Sequence, residues 1–243
     1  YTIGGHKLST GVSTIKSVTG YDLTRLLVGS EGTLAVITRA TLKLIPLPVA
    51  IGTARLIFPD GESALKAASL IVASQLFPRA LEFVDRNCLQ IIRETGMDIP
   101  ASGDQAMLLV EFDGAESEVE GDLQRLEELL ADSADSFART TDEQERLALW
   151  KMRKSISPSV YKLTPRKVSE DICVPRSKLS ATLRAVTEIG KRTGIRTLAY
   201  GHVGDGNLHV NFLLERNDDE NLSRAHEAAS MLFKKTVEFG GTL

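Results

Sequence analysis

From residue 51 to the end of the chain, runs with the hydrophobic pattern of strands alternate with runs that have the hydrophobic spacing of helices. Short runs rich in β-branched and aromatic residues predict strands, at 51–58, 80–84, 106–112, 167–174, 195–200 and 208–214. Apolar residues at helical spacing predict helices between them, at 61–76, 86–94, 116–131, 142–155, 177–193 and 218–239. Polar residues interrupt the strands, which favours an antiparallel sheet. We therefore predict an α+β fold with ferredoxin-like elements, whose antiparallel sheet is covered by helices on one face.

The first 46 residues follow a different pattern. Residues 1–20 mix β-formers with glycine, 21–28 have helical spacing, and 34–44 alternate like one or two strands. Pro46 and Pro48 then stop strand pairing. We predict a domain boundary here, which separates residues 1–46 from residues 47–243.

Composition is that of a globular protein. The 243 residues can hold one large domain or two small ones, and 42% hydrophobic and 25% charged residues are ordinary values. A net charge of −3 does not indicate nucleic-acid binding, and no apolar run reaches the ~18 residues of a transmembrane helix. The 2 cysteines are too few for a disulfide framework or a cysteine-based zinc site. This cysteine content fits a reducing compartment.

Both ends of the chain resemble cut sites. It starts at Tyr1 without a signal peptide, and it stops at a glycine pair, Gly240-Gly241, after a long predicted helix. We expect a fragment of a longer protein.

The stretch from Tyr200 to Asn211 holds 2 of the 4 histidines around an Asp205-Gly206 turn signal. A two-residue turn there would pair His202 with His209, with Cβ atoms roughly 5 Å apart on one face. Two imidazoles so placed suit one metal ion. The alternative is a pair of polar residues that cap a hairpin through hydrogen bonds to the backbone.

Two further motifs suit ligand binding. Gly29-Ser30-Glu31-Gly32-Thr33 would expose backbone amides and two hydroxyls to a phosphate or a carbonyl edge, and an ordinary tight turn is the alternative. Arg153 follows Trp150 on nearly the same face of a predicted helix. Its guanidinium could bind a carboxylate in bidentate fashion, or it could be a solvated residue that covers the aromatic ring. Lys154 and Ser157 would add donors.

Other polar residues carry weaker signals. Glu170 and Asp171 would orient a ligand, act as a base or cap the next turn. The remaining groups are expected on solvated surfaces: Lys162, Arg166, Lys167, His6 and His226.

The motifs together resemble a known family. Tyr21-Asp22-Leu23, the run from Gly29 to Leu34, and Gly201-His202-x-Gly204-Asp205-Gly206-Asn207-Leu208-His209 occur in the order typical of FAD-linked oxidases of the D-2-hydroxy-acid dehydrogenase type. This family includes glycolate oxidase FAD subunits, D-lactate dehydrogenases and D-2-hydroxyglutarate dehydrogenases. The resemblance spans nearly the whole chain.

The resemblance implies a cofactor and a site. Residues 1–46 would be the end of an FAD-binding domain, and 47–243 a truncated substrate-binding cap domain. Gly29, Ser30, Glu31, Gly32 and Thr33 would contact FAD, and Asn211 would face flavin and substrate. His202 and His209 would bind a divalent metal, usually zinc. Arg153 would hold the substrate carboxylate. The resemblance implies all of these roles, and for His202, His209 and Arg153 it adds to what the residues themselves suggest.

The expected reaction is oxidation of a D-2-hydroxy acid to the 2-oxo acid, with hydride transfer to flavin N5 and metal assistance. The third metal ligand and the base would lie beyond Leu243, and Ala35 replaces a common family glycine. A quinone, a cytochrome, an electron-transfer flavoprotein or a partner subunit would accept the electrons. We expect a cytoplasmic protein, with peripheral membrane association or the mitochondrial matrix as alternatives.

Two other functions remain open. An alkylglycerone-phosphate-synthase-like transferase would use FAD without net redox and would place a phosphate-bearing substrate near Arg153. An inactive cap-domain fragment is the non-enzymatic alternative; for these 243 residues alone we expect no tight FAD binding and no turnover.

Overall fold

The structure is a computed structural model that describes residues 1–97 and 99–243. The chain divides into two compact units, Tyr1–Leu47 and Pro48–Leu243.

The first unit holds one short helix, α1, at Leu23–Leu27. The Asp22 side chain caps it by accepting from the Arg25 amide at 3.0 Å. The strands predicted at 34–44 are wrong, because within residues 1–47, all of which are described, this run pairs only through an isolated bridge from Thr2 to Ala35. A β-forming sequence becomes a strand only where a neighbouring backbone accepts its hydrogen bonds.

The second unit contains all the strands that the structure describes and the remaining helices. The strands are β1 (Ala50–Phe58), β2 (Ala80–Val84), β3 (Ala106–Gly114), β4 (Ser136–Thr140), β5 (Arg166–Cys173), β6 (Arg196–His202) and β7 (Asn207–Leu214). The helices are α2 (Gly61–Ala73), α3 (Arg86–Glu94), α4 (Glu116–Leu130), α5 (Glu143–Lys154), α6 (Ile156–Leu163), α7 (Leu179–Thr193) and α8 (Asp219–Glu238). The hydrophobic pattern missed β4 and α6.

All pairs in the seven-stranded sheet are antiparallel, in the order β4-β1-β3-β2-β6-β7-β5. The first four strands, with α2 and α4, form a β-α-β-β-α-β half with α3 inserted. The other strands repeat this order, with a bridge from Thr242 to Cys173 in place of a fourth strand. The α+β fold with ferredoxin-like elements is therefore confirmed. The halves meet where β2 pairs with β6.

Helices cover both faces of the sheet, so the expected single covered face is wrong. Leu56 and Phe58 of β1 pack in the core beneath α2, α4, α7 and α8, whereas Ile57 packs with α3, α5 and α6 on the other face. Polar strand residues on the second face such as Glu82 are not solvated, since Glu82 is only 3% exposed. These polar residues belong to a buried network beneath α5 and α6.

Asp85 joins β2, α3 and β6. Its carboxylate accepts from the Cys88 amide at 2.7 Å, as the N-cap of α3, and from the Ala199 amide at 2.8 Å. Burial raises the pKa of the Asp85 carboxyl from 3.8 to about 6.

We expect this carboxyl to reduce stability as pH rises through the interval between these two pKa values. Between pH 4 and 6 the unfolded chain has released the Asp85 proton while the folded chain still binds it, so the free energy of unfolding falls with rising pH. Over this pH interval the free energy of unfolding falls by about 3 kcal/mol in total, at about 1.4 kcal/mol per pKa unit. Asp85→Asn keeps the cap and removes this dependence, as urea unfolding of both proteins at several pH values would measure. Parallel pH profiles would contradict the expectation.

Candidate functional site

The histidine hairpin has a longer turn than predicted. β6 ends at His202, β7 begins at Asn207, and His209 pairs with Tyr200 rather than with His202. The predicted pairing is therefore wrong by two positions. A shift of two positions keeps every side chain on its face, so both imidazoles still lie on the same face as diagonal neighbours. Their ring centroids are 5.2 Å apart, and the planes meet edge to face.

Gly206 explains the longer turn. Its φ of +85° is left-handed, and an added Cβ would lie 2.1 Å from the Val174 carbonyl oxygen. The Gly206 carbonyl also accepts from the Val174 amide at 3.0 Å. Contact with the segment after β5 thus fixes the turn, and local turn signals contain no information about that contact.

We expect Gly206→Ala to lower the free energy of unfolding by about 2–4 kcal/mol, the sum of a left-handed backbone penalty and overpacking. Gly96→Ala is the matched control, because Gly96 has φ +87° and open space around its Cβ position. The control should cost only about 1–2 kcal/mol. Denaturant unfolding measures both, and equal costs would refute the proposed backbone contact.

Each imidazole is oriented by a carboxylate on a neighbouring strand. His202 Nδ1 contacts Glu82 Oε1, and His209 Nδ1 contacts Asp171 Oδ1. An ionised carboxylate only accepts hydrogen bonds, so each Nδ1 donates, and in the neutral imidazole the lone pair is then on Nε2. His202 is 52% exposed and His209 26% exposed in their side chains. Of the two carboxylates considered from the sequence, Asp171 is therefore the orienting one; Glu170 lies on the opposite face of β5.

Arg153 binds the other oxygen of Glu82. Its Nε and Nη2 lie 2.8 and 2.7 Å from Glu82 Oε2, and both residues are buried. The guanidinium carbon stacks 4.6 Å from the centroid of the Tyr200 ring. The expected partner, Trp150, instead donates to Glu111 at 2.6 Å. Arg153 is thus held beside the imidazoles with its Nη1 side turned away from Glu82.

Lys167 is a second cation on the sheet face that holds Arg153 and the two histidines. Lys167 Nζ donates to Asn211 Oδ1 at 2.8 Å and to Ser157 Oγ at 3.0 Å, and Ser169 also donates to Asn211 Oδ1 at 2.7 Å. Burial lowers the pKa of the Lys167 ammonium. Burial raises the pKa of the Tyr200 phenol, and the side chains of Asn211 and Ser157 offset part of that rise. The expectation that Lys167 is solvated is wrong, because it is half-buried with neutral partners.

The two histidines fit part of a metal site. Both Nε2 lone pairs are available on one face, and carboxylates that hold Nδ1–H are the usual outer partners of metal-bound histidine. Among the described residues, 1–97 and 99–243, no group of three His, Cys, Asp or Glu side chains could hold a metal ion. Catalytic zinc has three protein ligands, so His202 and His209 would supply two of them.

The glycine loop in the first unit has an open backbone. Gly29, Glu31 and Gly32 have φ of +85°, +50° and +78°, and nothing lies within 4 Å of a Cβ built at either glycine. The hydroxyls of Ser30 and Thr33 donate within the loop, to the Leu27 carbonyl at 2.7 Å and the Ser30 carbonyl at 2.6 Å. The exposed backbone suits a flat ligand that approaches closely, whereas the hydroxyls retain only acceptor capacity for it.

Sequence reasoning missed Glu82 and Tyr200 as site residues. Glu82 is the single charge in the apolar run Ala80-Leu81-Glu82-Phe83-Val84, and such isolation in a strand signals a buried, partnered charge. Tyr200 gave no signal beyond its place before His202. His6 and His226 are exposed, as expected.

Residues 47–243 match the family described as "FAD linked oxidases, C-terminal domain". The chain belongs to this family. The buried polar face of the second unit is therefore compared with members of this family.

Two relatives of this FAD-linked oxidase chain have names that state an activity. The "Glycolate oxidase subunit GlcD" of Bacillus subtilis is 35% identical over 241 residues, which are 98% of this chain and 51% of the relative. The "Probable D-lactate dehydrogenase, mitochondrial" of Danio rerio is 32% identical over 241 residues, 98% of this chain and 48% of the relative. The chain thus spans about half the length of these curated relatives.

A solved structure of an alkyldihydroxyacetonephosphate synthase shares the fold. Its TM-score is 0.65 at 17% identity, and the match covers 94% of this chain and 46% of that one. Identity this low shows the fold alone. Within the described part of the FAD-linked oxidase chain, no helix is long and apolar enough to cross a membrane.

Proposed function

We propose that the protein containing this chain oxidises a D-2-hydroxy acid of the glycolate, D-lactate or D-2-hydroxyglutarate type to the 2-oxo acid. Two electrons and the α-hydrogen leave the substrate as hydride, and the hydroxyl hydrogen leaves as a proton. FAD, when bound, supplies the hydride acceptor at flavin N5. The observation that carries the proposal is the buried Glu82 carboxylate, which holds an arginine and a histidine side by side on one face.

The charge distribution on this face supports an anionic substrate. Arg153 is neutralised by Glu82, but among the described residues half-buried Lys167 has only neutral hydrogen-bond partners, Ser157 and Asn211. A desolvated cation without a counter-charge is costly. A substrate carboxylate would supply that counter-charge, and the fork of Arg153 would fix its orientation in bidentate fashion.

The two histidines would act on the hydroxyl side. We propose that His202 and His209 hold a divalent cation, Zn²⁺ first, through their Nε2 atoms. A Lewis acid there supplies polarisation of the substrate hydroxyl. Without it, the same Nε2 lone pairs would accept the hydroxyl proton directly, as an oriented histidine does in a catalytic triad. The zinc content of the purified protein separates these two uses.

The first unit and Asn211 would supply further contacts to the cofactor. We propose that residues 1–46 complete an FAD-binding domain and that the loop Gly29–Thr33 approaches the flavin through its open backbone. Asn211, whose amide oxygen is fixed by Lys167 and Ser169, would then present its amide nitrogen to flavin or substrate. The names of the relatives support hydroxy-acid oxidation.

Dye reduction by the full-length protein with FAD tests the function. Glycolate and the D and L forms of lactate and 2-hydroxyglutarate would be compared, with the matched neutral amide as control. We expect turnover of glycolate or of a D-2-hydroxy acid, little with the L form, and at least a 100-fold lower kcat/KM for the amide. No dye reduction with any of these acids would contradict the proposal.

A further inference from the structure

Glu82 lies at the junction of the two halves of the sheet. It is on β2 of the first half and pairs with His202 on β6 of the second half. Its neighbours Leu81 and Phe83 point into the opposite core, so of these three side chains only that of Glu82 enters the face beneath α5. It is 3% exposed, and it reaches groups on two other elements.

The two oxygens of Glu82 have different partners. Oε1 accepts a hydrogen bond from Nδ1 of His202, and Oε2 accepts from Nε and Nη2 of Arg153 at 2.8 and 2.7 Å. One rigid, planar group therefore sets both the ring orientation of a histidine on β6 and the fork of an arginine on α5. It also fixes which nitrogen of His202 carries the proton.

Stability alone does not explain this arrangement. Buried ion pairs are often no more stable than an apolar pair of the same volume, and a contact to a half-exposed histidine contributes little. The same face offers a comparison in Glu111 of β3, also 3% exposed. Glu111 is bound by Thr53 at 2.6 Å, Trp150 at 2.6 Å and two arginines, without an imidazole.

We propose that Glu82 is a positioning residue that couples the anion-binding group, Arg153, to the tautomer of His202. This inference rests on the proposed function of the face. Glu82 touches neither the reacting atoms nor a cofactor in this role. It directs the Nη1 side of Arg153 toward a carboxylate while it keeps the Nε2 lone pair of His202 directed at the hydroxyl side.

Glu82→Gln has a specific expected consequence. An amide offers one oxygen acceptor and one nitrogen donor. If the oxygen keeps Arg153, the –NH₂ group faces His202 Nδ1, which must then accept. The proton of His202 moves to Nε2, and the lone pair on the reactive side is lost.

The test uses the full-length protein with FAD, labelled with ¹⁵N-histidine. It is dialysed against a chelator so that no metal competes for Nε2. Long-range ¹H–¹⁵N spectra, assigned with His202→Gln, report the tautomer of His202. We expect Nδ1–H in the unchanged protein and Nε2–H after Glu82→Gln. In protein that has not been treated with chelator, we expect Glu82→Gln to lower kcat/KM for the hydroxy acid about 10–100-fold, as for other outer partners of ligating histidines.

Glu111→Gln is the matched control and should leave both the tautomer and kcat/KM unchanged. An unchanged His202 tautomer after Glu82→Gln, or an equal effect of the two substitutions, would overturn the proposal. If the unchanged protein oxidises no hydroxy acid, the proposed function fails, and the tautomer alone decides the role of Glu82. If Glu82→Gln does not fold, Glu82→Asp replaces it, because the shorter carboxylate cannot reach both Arg153 and His202. If Glu82→Asp kept the His202 tautomer and the kcat/KM of the unchanged protein, that result would also overturn the proposal.

Discussion

Arg153→Met is expected to lower the free energy of unfolding by about 3–5 kcal/mol, because it leaves the Glu82 carboxylate buried without its cationic partner. The same change removes the guanidinium that would hold the substrate carboxylate. We therefore expect kcat/KM for the hydroxy acid to fall at least about 1000-fold, the loss of a desolvated charge-assisted bidentate contact of about 4 kcal/mol. Denaturant unfolding and steady-state kinetics measure the two effects separately.

Two further variants separate charge from packing. Lys151→Met removes an exposed cation from the same helix, α5, and should change neither quantity. The double variant Glu82→Gln with Arg153→Met should recover much of the lost stability, since no buried charge remains, but none of the lost kcat/KM. If Arg153→Met stayed within about 1 kcal/mol of the unchanged protein, the buried pair would not have the energetic role assigned to it.

His209→Ala is expected to remove bound zinc from the full-length protein. Its Nε2 is one of the two lone pairs that the described face offers to a cation, and Asp171 orients it. Loss of a direct ligand should weaken zinc binding more than 100-fold, beyond the 10–100-fold effect of an outer partner. Zinc content after gel filtration, measured by elemental analysis, gives the result directly.

The exposed His226 provides the control, because His226→Ala removes an imidazole from α8 outside the face. It should leave zinc content unchanged. Unchanged zinc stoichiometry in His209→Ala would exclude His209 as a ligand. Absence of zinc from the unchanged protein would favour direct proton acceptance by the imidazoles, and His209→Ala would then lower kcat alone.

The hydrophobic pattern predicted most elements of the second unit because each is a local property. β2 and α3 have the predicted bounds, 80–84 and 86–94. The pattern could not predict which strands pair across long separations. The contact of Glu82 with His202 joins residues 120 positions apart, and β2–β6 pairing leaves no mark in either strand alone.

The site was partly predictable for a similar reason. His202, His209 and Arg153 were recognised from motifs, and the structure brings them onto one face. The orienting residues Glu82 and Lys167 were missed, since their hydrogen-bond partners Arg153 and Asn211 lie 71 and 44 positions away in the sequence. The hairpin register failed because Val174, outside the hairpin, holds Gly206. The expected single covered face failed because buried polar groups look like exposed ones in a sequence.

Anaerobic flavin reduction tests the central claim most directly, namely that this face oxidises a hydroxy acid through Arg153. The full-length protein with FAD would be mixed in a stopped-flow instrument with the preferred hydroxy acid, beside Arg153→Met and Lys151→Met. We predict rapid bleaching of the flavin by the unchanged protein and by Lys151→Met, and a second-order rate at least about 1000-fold lower for Arg153→Met. Equal rates in all three proteins, or no bleaching by any 2-hydroxy acid, would contradict it.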